Sequence, residues 1–271
     1  MTNKNTSDLN NIIPDGLIVF ISGVPGMGKT TISYELLKKF SKFRIIEETD
    51  LIREVLRGYN DYLKAELGDQ INFLFDKIYI TDHTKLLTFE EAKYQCKTME
   101  HSFNQIVARQ QRKGIATIIN GVHVIPEVLK NFAGNNNIIF INLYVTNERE
   151  IYQRIFNRDS ASYMLEQIPF IFQTNNDLYL STQKLTFEFD NIFNVNVTEL
   201  SVENTIKKIM ECINQSITHG VLFIAYILNT SGLTFFMLIK NTPFRNIFLV
   251  AKSAFISAYW KFISSFFLSF T

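Results

Sequence analysis

The sequence predicts an α/β fold in which helices flank a mostly parallel sheet. Short apolar runs that suit buried strands alternate with stretches whose apolar residues recur at helical spacing. A glycine-rich loop lies directly between the first such strand, residues 17–21, and the first such helix. The chain has 271 residues, enough for one large domain or for one domain with an extension, and either arrangement buries a substantial core.

The glycine-rich loop matches the phosphate-binding pattern G-x-x-x-x-G-K-[ST] in full. Its glycines let consecutive backbone N–H groups turn toward a phosphate chain at a helix N-terminus, whose dipole favours anions. We therefore predict a P-loop NTPase fold of the nucleotide-kinase-like type, with ATP and Mg²⁺ as ligands. Lys29 is expected to reach the β- and γ-phosphates, and Thr30 to ligate magnesium. The predicted nucleotide-binding residues are Gly23, Val24, Pro25, Gly26, Met27, Gly28, Lys29, Thr30 and Thr31.

The remaining elements follow from apolar periodicity and turn residues. Further strands are expected at 43–46, 115–119, 138–145 and 192–197. Helical stretches are expected after Lys29, over 51–113, over 148–158 and from 202 to about 213. The predicted organisation is a disordered lead-in at 1–16, a P-loop domain at 17–216 and a hydrophobic extension at 217–271.

The extension differs in composition from the rest of the chain. Residues 221–239 carry no formal charge and reach the length of about 18 residues that a helix needs to cross a bilayer. A second apolar stretch, 247–270, is interrupted by Lys252 and Lys261. We expect a membrane-associated or interfacial tail, and the alternatives are helices packed on the P-loop domain or a poorly folded extension.

The net charge and the cysteine content indicate which binding partners and which cellular location to expect for the protein. The net charge of +1 gives no electrostatic case for nucleic acid. The two cysteines are far apart in sequence and lack metal-ligand spacing, which favours a reducing compartment. The polar first fifteen residues do not resemble a signal peptide. A cytoplasmic location is expected, with membrane contact through the extension as an addition.

An acceptor site is predicted after the second strand, where Asp50, Arg53 and Arg57 share one helical face. Ligands of open α/β sheets bind at this edge. A carboxylate there can orient or deprotonate a hydroxyl, and the two arginines can hold an anion through bidentate contacts. The alternative is an aspartate that caps the helix, followed by a solvated basic face.

The third strand ends in Asn120-Gly121-Val122-His123, where P-loop enzymes commonly place an acidic residue that helps to hold magnesium. The amide of Asn120 is a weaker metal partner, so the metal shell is expected to depend on Thr30, water and Asp50. His123 is a candidate substrate contact, and a structural histidine is the alternative.

Two arginines, Arg154 and Arg158, lie one helical turn apart after the fourth strand. On a closing lid they would neutralise charge on the transferred phosphoryl group and exclude water. The alternative is a solvated face on which Glu150 pairs with Arg154.

The segments Thr49 to Arg57 and Gly121 to Pro126 together resemble the archaeal-type 2-phosphoglycerate kinase family. Members of this family make 2,3-bisphosphoglycerate from ATP, and the resemblance covers about residues 15–216. It implies an acceptor site around Asp50, Arg53 and Arg57, with Arg154 and Arg158 toward the lid. The chain departs from the family at Asn120, where a glutamate is usual, and in its hydrophobic extension.

The expected function is that of an ATP-dependent small-molecule kinase acting on a hydroxyl of an anionic metabolite, with 2-phosphoglycerate as first candidate. Lys29, Asp50, Arg154 and Arg158 are the predicted catalytic residues, and Asp50, Arg53, Arg57 and His123 the predicted substrate residues. One alternative is a nucleoside, sugar or antibiotic kinase on the same scaffold. Another is a nucleotide-binding regulatory or membrane-tethering protein with little turnover, which would bind ATP without acceptor-dependent ADP release.

Overall fold

A computed structural model of the chain describes residues 13–68, 88–135, 137–160 and 162–230. The chain divides into two units, Met1–Phe223 and Ile224–Thr271. Of the second unit the structure describes only residues 224–230, which are helical, so the predicted membrane-associated tail lies largely outside the described residues. Within the described ranges, no helix combines the length and the apolar character that crossing a membrane requires.

The first unit contains a parallel sheet with helices on both faces. Its strands are β1 Ile18–Ser22, β2 Phe43–Glu48, β3 Ala116–Asn120, β4 Ile138–Tyr144 and β5 Ile192–Asn196. The helices are α1 Lys29–Lys39, α2 Thr49–Leu67, α3 Phe89–Lys113, α4 Glu148–Arg158, α5 Ile168–Thr186 and α6 Val202–Thr230, of which residues 224–230 belong to the second unit. Short 3₁₀ helices occupy Lys130–Phe132 and Tyr163–Gln167.

The strand order β2-β3-β1-β4-β5 places β1 at the centre of the sheet. Ile18 lies opposite Thr117 of β3 on one side and Ile138 of β4 on the other. All five residues of β1 are buried, as expected for a strand that is covered on both faces. The connection that leaves β1 leads to β2 on one side of the sheet, whereas the connection that leaves the neighbouring β3 leads to β4 on the other side. The topological switch point therefore lies at the carboxyl ends of β1 and β3.

Apolar side chains fill both faces of the sheet. One cluster joins β1 and β4 to α1, α4, α5 and α6, and the other packs α3 and residues 124–133 on the opposite face. Phe20 and Phe140 stack in the second cluster with ring centroids 4.7 Å apart. Cys96 is buried and Cys212 half-buried, and both are free thiols.

The predicted parallel α/β architecture is confirmed, with two differences in the elements. The stretch 51–113 divides into α2 and α3, and residues 69–87 between them lie outside the described residues. Helix α5 had no counterpart in the sequence analysis, although Pro169 begins its first turn. The folded unit also begins earlier than residue 17, because Ile13 is buried in the core and Asp15 pairs with Lys42 at 3.0 Å.

Candidate nucleotide and acceptor site

The phosphate loop connects β1 to α1 at the switch point. Gly26 and Gly28 have φ values of 85° and 79°, a conformation that L side chains rarely adopt. Gly23 passes so close to β4 that an added Cβ would lie 2.7 Å from the carbonyl oxygen of Leu143. These glycines are therefore required by backbone geometry as well as by access to a phosphate.

Lys29, the first residue of α1, points its ammonium group back into the loop. Its Nζ donates a hydrogen bond to the carbonyl oxygen of Val24 at 3.0 Å. Burial lowers the pKa of Lys29 to about 8; the Asp50 carboxylate opposes this shift and the Arg158 guanidinium adds to it. The charges of Asp50 and Arg158 are therefore close enough to act on Lys29, which joins three of the predicted catalytic residues in one site.

A cleft of about 850 Å³ opens over the phosphate loop at the carboxyl edge of the sheet. The lining includes loop residues 25–31 and four of the side chains singled out from the sequence, namely Asp50, Asn120, Arg154 and Arg158. Glu48, which the sequence analysis did not select, also lines the cleft. Its position at the end of a parallel strand was a signal that could have identified it.

Asn120 connects β3 to the phosphate-loop helix. Its Nδ2 donates to the Ser33 hydroxyl at 3.0 Å, and that hydroxyl donates to the Lys29 carbonyl oxygen at 2.8 Å. The side chain is buried and borders the cleft. An acidic residue at this position could not donate to Ser33, so the amide has a structural role that the sequence analysis did not foresee.

Magnesium would be bound at this cleft together with the nucleotide. Among the described residues, no group of three or more His, Cys, Asp or Glu side chains is arranged to hold a metal ion without a ligand. Thr30, Glu48 and Asp50 nevertheless line the same cleft, and their hydroxyl and carboxylate oxygens are the ligands that a hard cation prefers. The residues present therefore fit a magnesium ion.

His123 is completely buried beside the start of α2. Its Nδ1 lies 3.1 Å from the Thr49 hydroxyl and its Nε2 lies 3.4 Å from Nη1 of Arg53. Burial lowers the pKa of His123 to about 4; nearby Asp50 opposes the shift, while Arg53 adds to it. A neutral imidazole that donates from Nδ1 and accepts at Nε2 fits these partners.

This environment differs from the substrate contact predicted for His123. With both ring nitrogens engaged and no exposed surface, the imidazole holds α2 against the end of β3. Gly121 makes the approach possible, because a Cβ there would lie 2.7 Å from Cβ of Thr49. The structural alternative is the one that the geometry favours.

The predicted acceptor arginines, Arg53 and Arg57, are not among the residues that line the cleft. Glu54 accepts from Nη1 of Arg57 at 2.9 Å and from Nε and Nη2 of Arg53 at 3.3 Å. The Arg53 side chain is 13% exposed and the Arg57 side chain 10% exposed. These two arginines therefore do not form the solvated basic face that was the alternative. Asp50 is 63% exposed and lies 3.9 Å from Arg53. Since Glu48 occupies the N-cap position, Asp50 is not the helix cap.

The two arginines of α4 have different environments. Arg154 pairs with Glu150 at 2.8 Å and donates to the Val197 carbonyl oxygen at 2.6 Å, so its guanidinium is held against the end of β5. This is the pairing that the alternative interpretation predicted. Arg158 is exposed, and its one hydrogen bond within the described residues is a long one of 3.6 Å to Sδ of Met164. Of the two arginines of α4, Arg158 is therefore the one whose guanidinium group is available to contact a bound phosphate.

The sheet order, the phosphate loop and the cleft above it define the class of protein as an α/β P-loop protein with a nucleotide-kinase-like fold. No family model matches the chain, but individual curated proteins resemble it. A protein named 2-phosphoglycerate kinase from Pyrococcus horikoshii is 31% identical over 212 residues, which cover 73% of this chain and 64% of that protein. The predicted resemblance to the 2-phosphoglycerate kinase family is thus confirmed.

Two further relatives bear the same name. The Methanocaldococcus jannaschii protein is 29% identical over 154 residues, covering 54% of this chain and 47% of its own length. The Pyrococcus furiosus protein is 28% identical over 207 residues, covering 72% and 63%. The chain thus spans less than two thirds of the length of these curated relatives.

Proposed function

We propose that the protein is an ATP-dependent small-molecule kinase that transfers the γ-phosphoryl group to a hydroxyl of an anionic metabolite. The observation that supports this most directly is the convergence of Lys29, Asp50 and Arg158 at one cleft above a phosphate loop. A nucleotide-binding protein without turnover would need the loop and its lysine. It would have no need of an exposed carboxylate in the cleft over that loop.

Each residue has a chemical task in an in-line transfer. Lys29 exchanges its bond to the Val24 carbonyl for phosphate oxygens and neutralises their charge. Asp50 orients the acceptor hydroxyl and accepts its proton as the new O–P bond forms, while the bond between the γ-phosphorus and the β,γ-bridging oxygen of ATP breaks and ADP leaves. Arg158 approaches the transferred group from α4. Magnesium, held by oxygens of the residues that line the cleft, such as Thr30, would supply positive charge to the phosphate chain.

The first candidate acceptor is 2-phosphoglycerate, which the names of the relatives support. This molecule carries a carboxylate and a phosphate next to a hydroxyl. Arg53 and Arg57 follow Asp50 on α2 at helical spacing, Arg53 lies 3.9 Å from its carboxylate, and the two guanidinium groups could meet such anions. Because Glu54 bridges both arginines, an anionic acceptor at this place would compete with its carboxylate.

A panel of hydroxyl acceptors, incubated with ATP and Mg²⁺, tests the proposal through the rate of ADP release. The panel contains 2-phosphoglycerate, 3-phosphoglycerate, shikimate, gluconate and deoxyadenosine. We expect acceptor-dependent ADP release that is greatest with 2-phosphoglycerate and is lost in Lys29→Ala. Lys38→Ala is the control, because Lys38 lies on the exposed side of the same helix and pairs only with Glu35 among the described residues.

Three outcomes distinguish the candidate functions. Release that is greatest with another acceptor would support a nucleoside or sugar kinase on the same scaffold. Tight ATP binding without any acceptor dependence would favour the regulatory alternative. Lys29→Ala activity above about one tenth of wild type, equivalent to less than about 1.4 kcal/mol of transition-state stabilisation, would contradict the role given to the loop.

A further inference from the structure

Glu48 is a carboxylate without a partner beside the phosphate loop. It is the last residue of β2 and lines the cleft together with Thr30 and Asn120. It occupies the N-cap position of α2, yet its side chain makes no capping hydrogen bond. Within the described part of the chain it forms no other hydrogen bond or ion pair. A carboxylate that lines the cleft and has no partner among the described residues is available to a cation that binds there.

The strand register places Glu48 next to Asn120. The two residues are paired across β2 and β3, at the carboxyl end of both strands. Side chains of paired residues on parallel strands project from the same face of the sheet. Asn120 is committed to Ser33 as a donor and offers only a neutral amide to the cleft. A carboxylate one strand away is therefore close to where an acid at position 120 would have been.

We propose that Glu48 supplies the acidic partner of the nucleotide-bound magnesium in this protein. The inference rests on the proposed function, because it assigns Glu48 to the metal that accompanies ATP. Its carboxylate is placed to accept hydrogen bonds from water in the metal shell or to ligate the ion, and the Thr30 hydroxyl provides the second protein oxygen. The charge that Asn120 lacks is thus provided by the neighbouring strand.

The neighbouring Glu47 offers a matched control. It belongs to the same strand and is half-buried, but it projects from the other face of the sheet and does not line the cleft. Glu47→Gln removes the same charge from the same strand. A general effect of net charge or strand stability would appear in both variants, whereas an effect on the metal would appear in Glu48→Gln alone.

The experiment measures the dissociation constant of a fluorescent ATP analogue in EDTA and in excess Mg²⁺, so it needs no turnover. The ratio of the two constants is the gain in affinity that magnesium provides. We expect Glu48→Gln to reduce this gain at least tenfold relative to wild type and Glu47→Gln. In EDTA the affinity of Glu48→Gln should be equal to or tighter than that of wild type, because a negative charge near the phosphates has been removed.

Loss of affinity in both conditions would show that Glu48 shapes the loop, and would overturn the inference. An unchanged magnesium gain would overturn it as well. If Glu48→Gln has a lower melting temperature than wild type in the absence of ligand, Glu48→Asp is measured as well. Because Glu48→Asp keeps the negative charge, it should recover part of the magnesium-dependent gain in affinity. No recovery counts against the inference. If acceptor-dependent turnover is present while the gain is unchanged, the proposed function survives and the role of Glu48 does not. If Glu48→Gln reduces the magnesium gain but no acceptor supports turnover, the role of Glu48 survives and the proposed kinase function does not.

Discussion

The ammonium group of Lys29 donates to the carbonyl oxygen of Val24 within the same phosphate loop, at 3.0 Å. A single carbonyl compensates a buried cation poorly, which is why burial lowers the pKa of Lys29 to about 8. A phosphate chain would provide several charged oxygens in the same place. The loop thus holds its lysine in an environment that favours an incoming anion.

We predict that ATP affinity decreases as the pH rises through about 8, because the lysine loses its proton there. The folded protein then binds fewer protons than the unfolded chain between about pH 8 and the ordinary lysine value of 10.5. The contribution of Lys29 to the free energy of unfolding therefore increases with pH in that window, opposite in sign to the change in affinity. Nucleotide titrations and urea unfolding at pH 7, 8 and 9 measure both trends. Lys29→Met has no charge to titrate and should show neither.

A second prediction separates the two arginines of α4. Arg158→Ala should lower kcat at least tenfold while the free energy of unfolding stays within about 0.5 kcal/mol of wild type, because its side chain is exposed. Arg154→Ala should instead lower the free energy of unfolding by about 1 to 3 kcal/mol, since Glu150 and the Val197 carbonyl lose their charged partner. Steady-state kinetics and urea unfolding of both variants provide the comparison. Equal kinetic losses in the two folded variants would contradict this division of roles.

The phosphate loop could be predicted from sequence because its requirements are local. Glycines at fixed spacing, a preceding apolar strand and a following helix are all visible within twenty residues. The pairing of Arg53 and Arg57 with Glu54 is also local, since it depends on helical spacing, yet charge spacing alone could not show that the arginines would be buried. The choice between a binding site and a solvated face therefore required the fold.

Other features depend on contacts between distant segments. His123 is separated from Thr49 by 74 positions, and only the contact between the start of α2 and the loop after β3 shows that its ring is enclosed. Glu48 could not be selected from sequence alone, because its position beside Asn120 depends on the register between β2 and β3 in the sheet. Helix α5 was missed because its buried side chains include polar residues such as Asn175 and Thr182, which weaken the apolar periodicity.

A third prediction concerns the acceptor. Arg53→Ala should raise the KM for the anionic acceptor or lower kcat, and leave the dissociation constant of ATP nearly unchanged, because Arg53 does not line the nucleotide cleft. Arg44→Ala is the control, since Arg44 is an exposed arginine on the adjacent strand. Arg53 also contacts His123, so the thermal stability of each variant is compared first. An equal loss of ATP affinity would assign Arg53 a general structural role.

The last prediction tests Asn120 by supplying the acidic residue that P-loop enzymes commonly place at the end of this strand. Asn120→Glu should lower the Mg²⁺ concentration needed for half-maximal initial rate at fixed ATP, because a second carboxylate would stand beside Glu48 at the edge of the cleft. It should also lower the free energy of unfolding by about 1 to 3 kcal/mol, since Ser33 loses its amide donor. Both effects are measured in the same preparation, by Mg²⁺ titration and by urea unfolding.

The double variant Glu48→Gln with Asn120→Glu decides whether the two positions serve one metal. It moves the carboxylate from β2 to β3 and leaves the total charge of the pair unchanged. If both side chains face the same ion, the double variant should recover a large part of the magnesium dependence that Glu48→Gln loses. If the folded double variant behaves like Glu48→Gln, and Asn120→Glu alone leaves the Mg²⁺ requirement unchanged or raises it, position 120 does not face the metal. Its amide would then serve only to tie β3 to the phosphate-loop helix through Ser33.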